Sequence, residues 1–331
     1  MRIWLDGQCF QTGSRRRGIG RYALAWIRAL AEEGAELVLS LNAALPGDLQ
    51  PVREHLLREV PGLDIRHWHG IAEAGLAFTG PTGRRRVSEK VLDLHVSQLA
   101  PDVAISLSPF EGMSGTMVPF LPGPAFPRPG LAIIYDFIPH RMPDAYLKTA
   151  RDREAYGHLL QRLRGFDSFL AISAFAAEET RAVLGTDLVT NLSAGIASGW
   201  LAGSIKPRQA GAVFTILYVG ALDPRKNVGI CLEALRHVRK QAGLAFRLEV
   251  HGAYSAEEGE ALRAQARRLG LAEADLVLAG SFRDEDLVPL YRRADLVIQP
   301  SLMEGFGLTA LEAMACGVPV LVARAGALPE V

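Results

Sequence analysis

Two acids in the second half of the chain lie where a strand and a helix would deliver them to one place. Seven residues separate Glu304 from Glu312 in "PSLMEGFGLTALEAMACGVPV", which reads as a strand end, a glycine turn and a helix. Glu312 is the only charge in "LTALEAMAC", and a buried carboxylate is costly unless hydrogen bonds satisfy it. Ribose hydroxyls would supply such donors to Glu312. Glu304 would reach the hydroxyls of a sugar that lies beyond a diphosphate. The alternative is one acid at the solvent edge of the helix and one capping its N-terminus.

A cation pair follows the apolar run "ILYVG". The pattern predicts a strand that ends at Gly220 and a helix that begins near Pro224, with Arg225 and Lys226 in its first turn. The helix dipole already makes that end positive, so an anion should compensate. A diphosphate would satisfy the dipole, the free N–H groups and both side chains. The alternative is an ordinary solvated pair.

The first half offers a second glycine turn, "GSRRRGIGRYALAWIRAL". Gly18 and Gly20 precede a predicted helix whose free N–H groups can bind an anion, and Arg17 adds charge beside them. These residues predict contact with a phosphate or an acceptor; the alternative is a flexible loop with solvated arginines. A dinucleotide fingerprint is disfavoured by the long connection after the first strand and by Asn42, which stands where an acid should hold the ribose.

Asp136 ends the apolar run "LAIIYD", and His140 follows between two prolines. Asp136 can orient a sugar hydroxyl or help position an attacking group, or it can simply close the turn before Pro139. Elsewhere His67 and His69 form a pair without a third ligand, which is insufficient for a metal site. The sequence therefore predicts no metal.

Composition limits the class of protein. A chain of 331 residues favours two domains over one, and 49% hydrophobic residues with a formal net charge of +0 exclude a disordered tail or a nucleic-acid coat. The three cysteines are far apart and predict buried thiols in a reducing compartment. No signal peptide and no run of the ~18 apolar residues needed for a bilayer span is present, so a cytoplasmic protein is expected.

Short apolar runs alternate with amphipathic helical stretches along the whole chain, which is typical of α/β folds with parallel sheets. We predict a domain over residues 1–195, a linker over 196–211 rich in Gly, Ser and Ala, and a second doubly wound domain over 212–331. Residues 110–130 are rich in Pro and Gly and predict a long surface loop. The last residues, "ARAGALPEV", resemble the start of a helix, so the second domain looks incomplete.

Taken together, these segments resemble a known family. "EGFGLTALE" resembles the E-x7-E motif of the retaining glycosyltransferases of family 4, also called glycosyl transferases group 1, which have the GT-B fold. "YVGALDPRKNV", "GIGRYA", "IYDFIPHRMP" and the stretch from "GSFRDEDLVPLYRRADLV" to the C-terminus resemble family segments in the expected order. The resemblance implies two Rossmann-like domains that face a cleft, the second of them C-terminally truncated.

The resemblance also implies roles for particular residues. Glu312 would bind the ribose of a sugar nucleotide, Glu304 the transferred sugar, and Arg225 with Lys226 the diphosphate. The implied catalytic residues are Asp136, Arg225, Lys226 and Glu304. The implied donor-binding residues are Gly18, Gly20, Gly220, Arg225, Lys226, Phe282, Glu304, Gly305, Phe306, Gly307, Leu308 and Glu312. The implied acceptor-binding residues are Arg17 and His140, and neither a metal nor another cofactor is required.

Two positions depart from the family pattern. Ala221 stands where many members have Arg, so Arg225 is expected to carry more of the phosphate contact. Tyr135 stands where many have His just before Asp136, which leaves the division of sugar and acceptor contacts between Asp136 and His140 open.

The function implied by the resemblance is retaining transfer of a hexose. Mannose from GDP-mannose, moved to a glycan or lipid-linked oligosaccharide, is preferred because the segments look most like bacterial surface-polysaccharide mannosyltransferases; UDP-sugars are the nearest alternative donors. Arg84, Arg85 and Arg86 are candidates for peripheral contact with the cytoplasmic face of the inner membrane, although such a run is more often a solvated loop. Alternatives are a non-catalytic sugar-nucleotide-binding domain and a GT-B epimerase, with a dehydrogenase more distant.

Overall fold

The computed structural model describes residues 1–71, 74, 83–113, 117–123, 126–196, 200–201, 213–242 and 245–331. Within these ranges the chain divides into two compact units, Met1–Ala194 and Gly195–Val331. Most of the predicted linker, 196–211, lies outside the described residues. Each unit has its own parallel sheet.

The first unit is built on a seven-stranded sheet in the order β3-β2-β1-β4-β5-β6-β7. Its first two strands are nearly continuous buried runs, as expected of parallel strands covered on both faces. The strand order reverses between β1 and β4, which pair directly. The strands are β1 Arg2–Asp6, β2 Glu36–Asn42, β3 Asp64–Trp68, β4 Val103–Ser106, β5 Gly130–Ile134, β6 Ser168–Ala171 and β7 Val189–Asn191.

Helices connect these strands and pack their apolar faces into the core. The caps follow ordinary chemistry: Thr149 forms a capping box with Asp152, and the Ser173 side chain accepts from the Ala176 N–H. The helices are α1 Gly18–Glu32, α2 Gln50–Glu59, α3 Gly83–Leu99, α4 Ile138–Arg141, α5 Pro143–Tyr146, α6 Ala150–Leu163 and α7 Ala174–Leu184. Short 3-10 helices cover Gly7–Gln11, Gly13–Arg16 and Pro109–Met113.

The prediction of a surface loop over residues 110–130 is wrong for its central part. Val118 and Phe120 are fully buried. The Phe120 N–H donates to Asp6 Oδ2 at 2.8 Å, and Gln8 Nε2 donates to the Val118 carbonyl at 2.7 Å. The side chains of Asp6, at the end of β1, and Gln8, in the 3-10 helix that follows, thus satisfy the backbone of a segment that contains no helix or strand. This pairing lets the segment lie inside the core.

The second unit is built on a five-stranded parallel sheet in the order β10-β9-β8-β11-β12. The order reverses between β8 and β11. The strands are β8 Phe214–Val219, β9 Phe246–His251, β10 Leu276–Gly280, β11 Leu296–Gln299 and β12 Val320–Val322, and the helices are α8 Gly229–Ala242, α9 Ala256–Arg268, α10 Leu287–Arg292 and α11 Leu308–Ala315. Further 3-10 helices cover Pro224–Lys226, Glu273–Asp275, Asp284–Asp286 and Leu328–Glu330.

Two hydrophobic clusters cover the two faces of this sheet. One contains Tyr218 and Val250 with α8 and α9 residues, and the other contains Leu217 and Val219 with α10 and α11 residues. The cysteines are unbridged and buried, as predicted. No helix in the described part of the chain is long and apolar enough to cross a membrane.

Candidate functional site

Two loops meet at the point where the strand order of the second sheet reverses. One follows β8 and the other follows β11. The Leu302 N–H donates to the Arg225 carbonyl at 2.7 Å, and Asn227 Nδ2 donates to the Pro300 carbonyl at 3.4 Å. In open α/β sheets ligands bind beyond the carboxyl ends of the strands at such a reversal. The two loops are therefore the candidate site of this unit.

A helical turn begins at Pro224 and contains both cations, as predicted, but it is a 3-10 turn separate from α8. Pro224–Lys226 forms a 3-10 turn, Asn227 adopts a left-handed conformation with φ +53°, and α8 begins only at Gly229. The left-handed residue ends the turn before a helical backbone can continue. The Asp223 side chain accepts from the Arg225 N–H at 3.0 Å and fixes the start of the turn.

Glu304 is the anion that these cations face in the structure. Arg225 Nη1 lies 3.0 Å from Glu304 Oε2, and Lys226 Nζ lies 2.5 Å from Oε1. Ser301 Oγ and Gln299 Nε2 also donate to Oε1, at 2.6 and 3.1 Å. A residue that is only 7% exposed thus accepts hydrogen bonds from four side chains.

This surrounding controls the charge of the carboxyl group. Burial by itself would raise the pKa of Glu304, but the charges of Lys226 and Arg225 outweigh burial and, with the hydrogen bonds, hold the pKa at about 2. Burial lowers the pKa of Lys226, and the Glu304 charge opposes that effect. The site therefore keeps Glu304 ionised at neutral pH beside Arg225 and Lys226.

The backbone of Glu304 is held as closely as its side chain. The Ala327 N–H donates to the Glu304 carbonyl at 3.0 Å. A Cβ on Gly326, which has φ +56°, would lie 2.5 Å from that same carbonyl oxygen, so only glycine permits this approach. Gly307, at φ +123°, then turns the chain into α11. Together these contacts fix the segment between the two acids.

Glu312 lies in the second turn of α11, as the spacing predicts, and is buried. The Tyr291 hydroxyl donates to Glu312 Oε2 at 2.8 Å. Tyr291 belongs to α10, and its ring lies in the same hydrophobic cluster as Ala313. A protein hydroxyl therefore supplies at least one of the donors that the carboxylate needs.

The other predicted donor residues of this unit also follow strand ends. The Gly220 N–H donates to the His251 carbonyl at 2.8 Å directly after β8. Phe282 follows β10 and is partly buried against the Tyr291 cluster. Phe306 is buried, and Leu308 is the first residue of α11. Every residue of the second unit that is predicted to bind the sugar nucleotide thus follows the carboxyl end of β8, β10 or β11.

The first-unit glycines lie inside the helix rather than before it. Gly18 and Gly20 belong to the first turn of α1, with Arg17 as the exposed N-cap residue. A Cβ on Gly20 would lie 2.5 Å from the Arg15 carbonyl oxygen. Tyr135 is buried, and its hydroxyl donates to the Ile19 carbonyl at 3.4 Å. Tyr135, where many family members have His, is thus used to hold this turn.

Asp136 makes the contact expected of a turn-closing residue. Its Oδ1 accepts from the Ile138 N–H at 3.0 Å at the start of α4. His140 lies in α4 and is exposed. The structure therefore shows Asp136 closing the turn. The predicted role of the same carboxylate with a sugar hydroxyl stays a prediction.

Several residues that lie near the points where the strand order reverses in the two sheets were not identified from the sequence. Ser301, Gln299 and Tyr291 donate to the two acids of the second unit. In the first unit Glu111 accepts from Thr12 Oγ1 at 3.0 Å, and burial raises its pKa. A polar residue at the end of an apolar strand, such as Gln299, was the only available signal. Among the described residues no group of three or more His, Cys, Asp or Glu could hold a metal ion.

Solved structures define the class of fold. The full chain superimposes on Anabaena HepE in complex with UDP and glucose with a TM-score of 0.69, 19% identity and 82% of that chain covered. It superimposes on WaaG, a glycosyltransferase involved in lipopolysaccharide biosynthesis, with a TM-score of 0.65, 17% identity and 83% of that chain covered. The fold is therefore GT-B, with two Rossmann-like units, as predicted.

The family model of the glycosyl transferases group 1 matches residues 206–331. This part of the chain is a glycosyl transferases group 1 domain, as the motifs predict. Over its full length the chain is 28% identical to the serotype-specific mannosyltransferase WbdA of Escherichia coli, of which it spans 41%. It is 39% identical to the O-antigen chain mannosyltransferase B of Escherichia coli over 115 residues, which are 35% of this chain and 30% of that protein.

Proposed function

We propose that the protein is a retaining glycosyltransferase that moves a hexose from a sugar nucleotide to a glycan or lipid-linked oligosaccharide. The observation that carries the proposal is the pairing of Arg225 and Lys226 with Glu304 at the strand-order reversal of the second sheet. Two fixed cations suit a diphosphate, and an ionised acid beside them suits the hydroxyls of the attached sugar. The family match of the same residues supports this assignment.

Arg225 and Lys226 would also drive the chemical step. As the glycosidic bond breaks, negative charge develops on the leaving diphosphate, and cations already fixed beside it lower the barrier. The acceptor hydroxyl would attack from the leaving-group face, with a donor phosphate oxygen taking its proton, so that the anomeric configuration is retained. Because the two side chains supply the positive charge, the proposal includes no metal. Asp136 and His140 of the first unit would contact the sugar and acceptor.

For the donor we propose GDP-mannose. WbdA and the O-antigen chain mannosyltransferase B are both named as mannosyltransferases, and WbdA matches the whole of this chain. HepE, which was crystallised with UDP and glucose, keeps a UDP-sugar as the rival donor. The cation pair would contact the diphosphate, which both donors share, so it does not discriminate between them.

Calorimetric titration of the purified protein with GDP, UDP and NAD tests the donor site. We expect saturable binding of one nucleoside diphosphate, GDP by preference, and none of NAD. Labelled GDP-mannose and UDP-glucose, offered with a lipid-linked oligosaccharide, then test transfer. Binding of NAD alone would contradict the proposed class; binding of a nucleoside diphosphate without transfer would favour a non-catalytic sugar-nucleotide-binding domain.

For the acceptor side we propose contact with an anionic membrane surface through α3. Val87, Val91 and Leu94 form a stripe at helical spacing and are 47%, 36% and 59% exposed. The exposed Arg84, Arg86 and Lys90 flank the stripe. Cations that flank an exposed apolar stripe are typical of helices that lie on anionic lipid surfaces.

Arg85 does not belong to that surface. It is buried and pairs with Glu89 at 2.8 Å, because it lies on the opposite face of α3. Its inclusion among the headgroup-binding arginines was therefore wrong. Glu89 and Asp93 are both partly buried, so the acids of this helix lie away from the exposed stripe.

Replacing both Arg84 and Arg86 by Glu is expected to weaken binding to phosphatidylglycerol vesicles by more than about tenfold, since each surface cation contributes about 1 kcal/mol. Co-sedimentation with vesicles at low and high salt measures the effect. Leu94→Asp should weaken binding at both salt concentrations, while Arg128→Glu, at an exposed arginine after residue 126, should have little effect. Equal sedimentation of the double variant and the unmodified protein would contradict the membrane contact.

A further inference from the structure

Tyr291 is buried, and the hydroxyl that is the only polar group of its side chain contacts Glu312, an acid predicted to bind a ligand. Its side chain is 0% exposed, and its hydroxyl donates to Glu312 Oε2 at 2.8 Å. A tyrosine with no exposed surface cannot itself contact a nucleotide. Its hydroxyl can act on a ligand through the Glu312 carboxylate to which it donates.

The ring of Tyr291 is fixed on several sides. It packs in one cluster with Leu217 and Ala313, and the Trp200 ring lies 6.0 Å from it, measured between centroids. A side chain locked in this way presents its hydroxyl at one position. The donor therefore has little freedom, and the acceptor carboxylate must adjust to it.

We propose that Tyr291 is a positioning residue for Glu312. Its hydrogen bond fixes the rotation of the Glu312 carboxylate about its last bond, so that the carboxylate is oriented to accept hydrogen bonds from the hydroxyls of a ribose. This inference rests on the proposed function, because it takes the ribose of a sugar nucleotide as the ligand of Glu312. It assigns Tyr291 a part in selecting nucleotides over simple diphosphates.

The alternative is that Tyr291 only stabilises the core. The two roles differ in which ligands they affect. A core role would weaken every ligand of the second unit together. A positioning role would weaken only ligands with ribose hydroxyls, because pyrophosphate and 2′,3′-dideoxynucleotides make no use of Glu312.

The test is calorimetric titration of Tyr291→Phe, which keeps the ring and removes the hydroxyl. We expect affinity for GDP or UDP to fall by about tenfold, the scale of one hydrogen bond to a charged group. Affinity for pyrophosphate and for the 2′,3′-dideoxynucleotide should not change. The matched control is Tyr254→Phe, at a partly buried tyrosine packed against the other face of the same sheet, which should leave all three affinities unchanged.

A double-mutant cycle with Glu312→Gln gives a second measurement. If Tyr291 acts through Glu312, Tyr291→Phe should add little to the loss that Glu312→Gln already causes. Equal weakening of all ligands, no weakening of any, or full additivity in the cycle would overturn the inference while leaving the proposed function standing. If the unmodified protein binds pyrophosphate but does not distinguish ribose from dideoxyribose, both the ribose role of Glu312 and this inference fail.

Discussion

Lys226→Ala is expected to lower the turnover of sugar transfer by about 10²- to 10³-fold, because it removes one fixed donor to the leaving diphosphate. The substitution should leave Glu304 ionised, since Arg225 remains 3.0 Å from the carboxylate and Ser301 and Gln299 continue to donate to it. The measurement is kcat at saturating donor, with thermal unfolding recorded in parallel.

Two further variants control this experiment. Lys226→Arg keeps the charge and should recover part of the rate, with imperfect geometry. Lys148→Ala removes an exposed lysine of the first unit and should leave kcat unchanged. If kcat of Lys226→Ala at saturating donor equals that of the unmodified protein, Lys226 contributes no transition-state stabilisation, and its contact with Glu304 would be purely structural.

The strands were predictable because parallel strands leave a local pattern. The runs "LAIIYD" and "ILYVG" overlap β5 and β8, since nearly every residue of a strand covered on both faces is apolar. The core segment around Val118 and Phe120 was not predictable. The side chains that bond its backbone, those of Asp6 and Gln8, lie 114 and 110 residues earlier, and nothing in the local composition indicates them.

The site was predictable as a set of residue types but not as a set of contacts. Glu304, Arg225 and Lys226 each follow a strand end, so each could be named. Their pairing joins residues 78 and 79 positions apart and depends on β8 and β11 being neighbours. The sequence suggested an external diphosphate as the partner of the cations, whereas the folded chain already supplies an internal carboxylate. Tyr291 was missed because a buried tyrosine within an amphipathic helix looks like any other core residue.

The internal carboxylate has a measurable consequence for ligand binding. A diphosphate that reaches Arg225 and Lys226 must compete with Glu304 for them, because Glu304 pairs with both side chains in the ligand-free protein. Glu304→Gln removes the competing charge and leaves Asp223, whose Oδ1 lies 3.7 Å from Arg225 Nε, to face the two basic side chains, which is costly for the free protein. An added diphosphate restores the pairing.

Glu304→Gln is therefore expected to have opposite effects on binding and turnover. Affinity for pyrophosphate should rise by about tenfold, the scale of one charge-assisted hydrogen bond. Transfer should fall by about 10²-fold or more if Glu304 holds the sugar in the transition state. Calorimetry with pyrophosphate and kcat at saturating donor measure the two effects, and a larger ligand-induced rise in Tm should accompany the first.

Glu249→Gln is the matched control, because Glu249 is also buried and its pKa is also lowered to about 2, by a hydrogen bond from His251 and by Arg293 and Arg247. Both acids have a folded pKa below the ordinary 4.5, so each stabilises the fold above pH 4.5 and loses that contribution as pH falls towards 2. For both variants the deficit in unfolding free energy should therefore shrink over that range. Only Glu304→Gln should bind pyrophosphate more tightly. An equal gain in Glu249→Gln, or no gain in either variant, would mean that Glu304 does not compete with the ligand for the two cations.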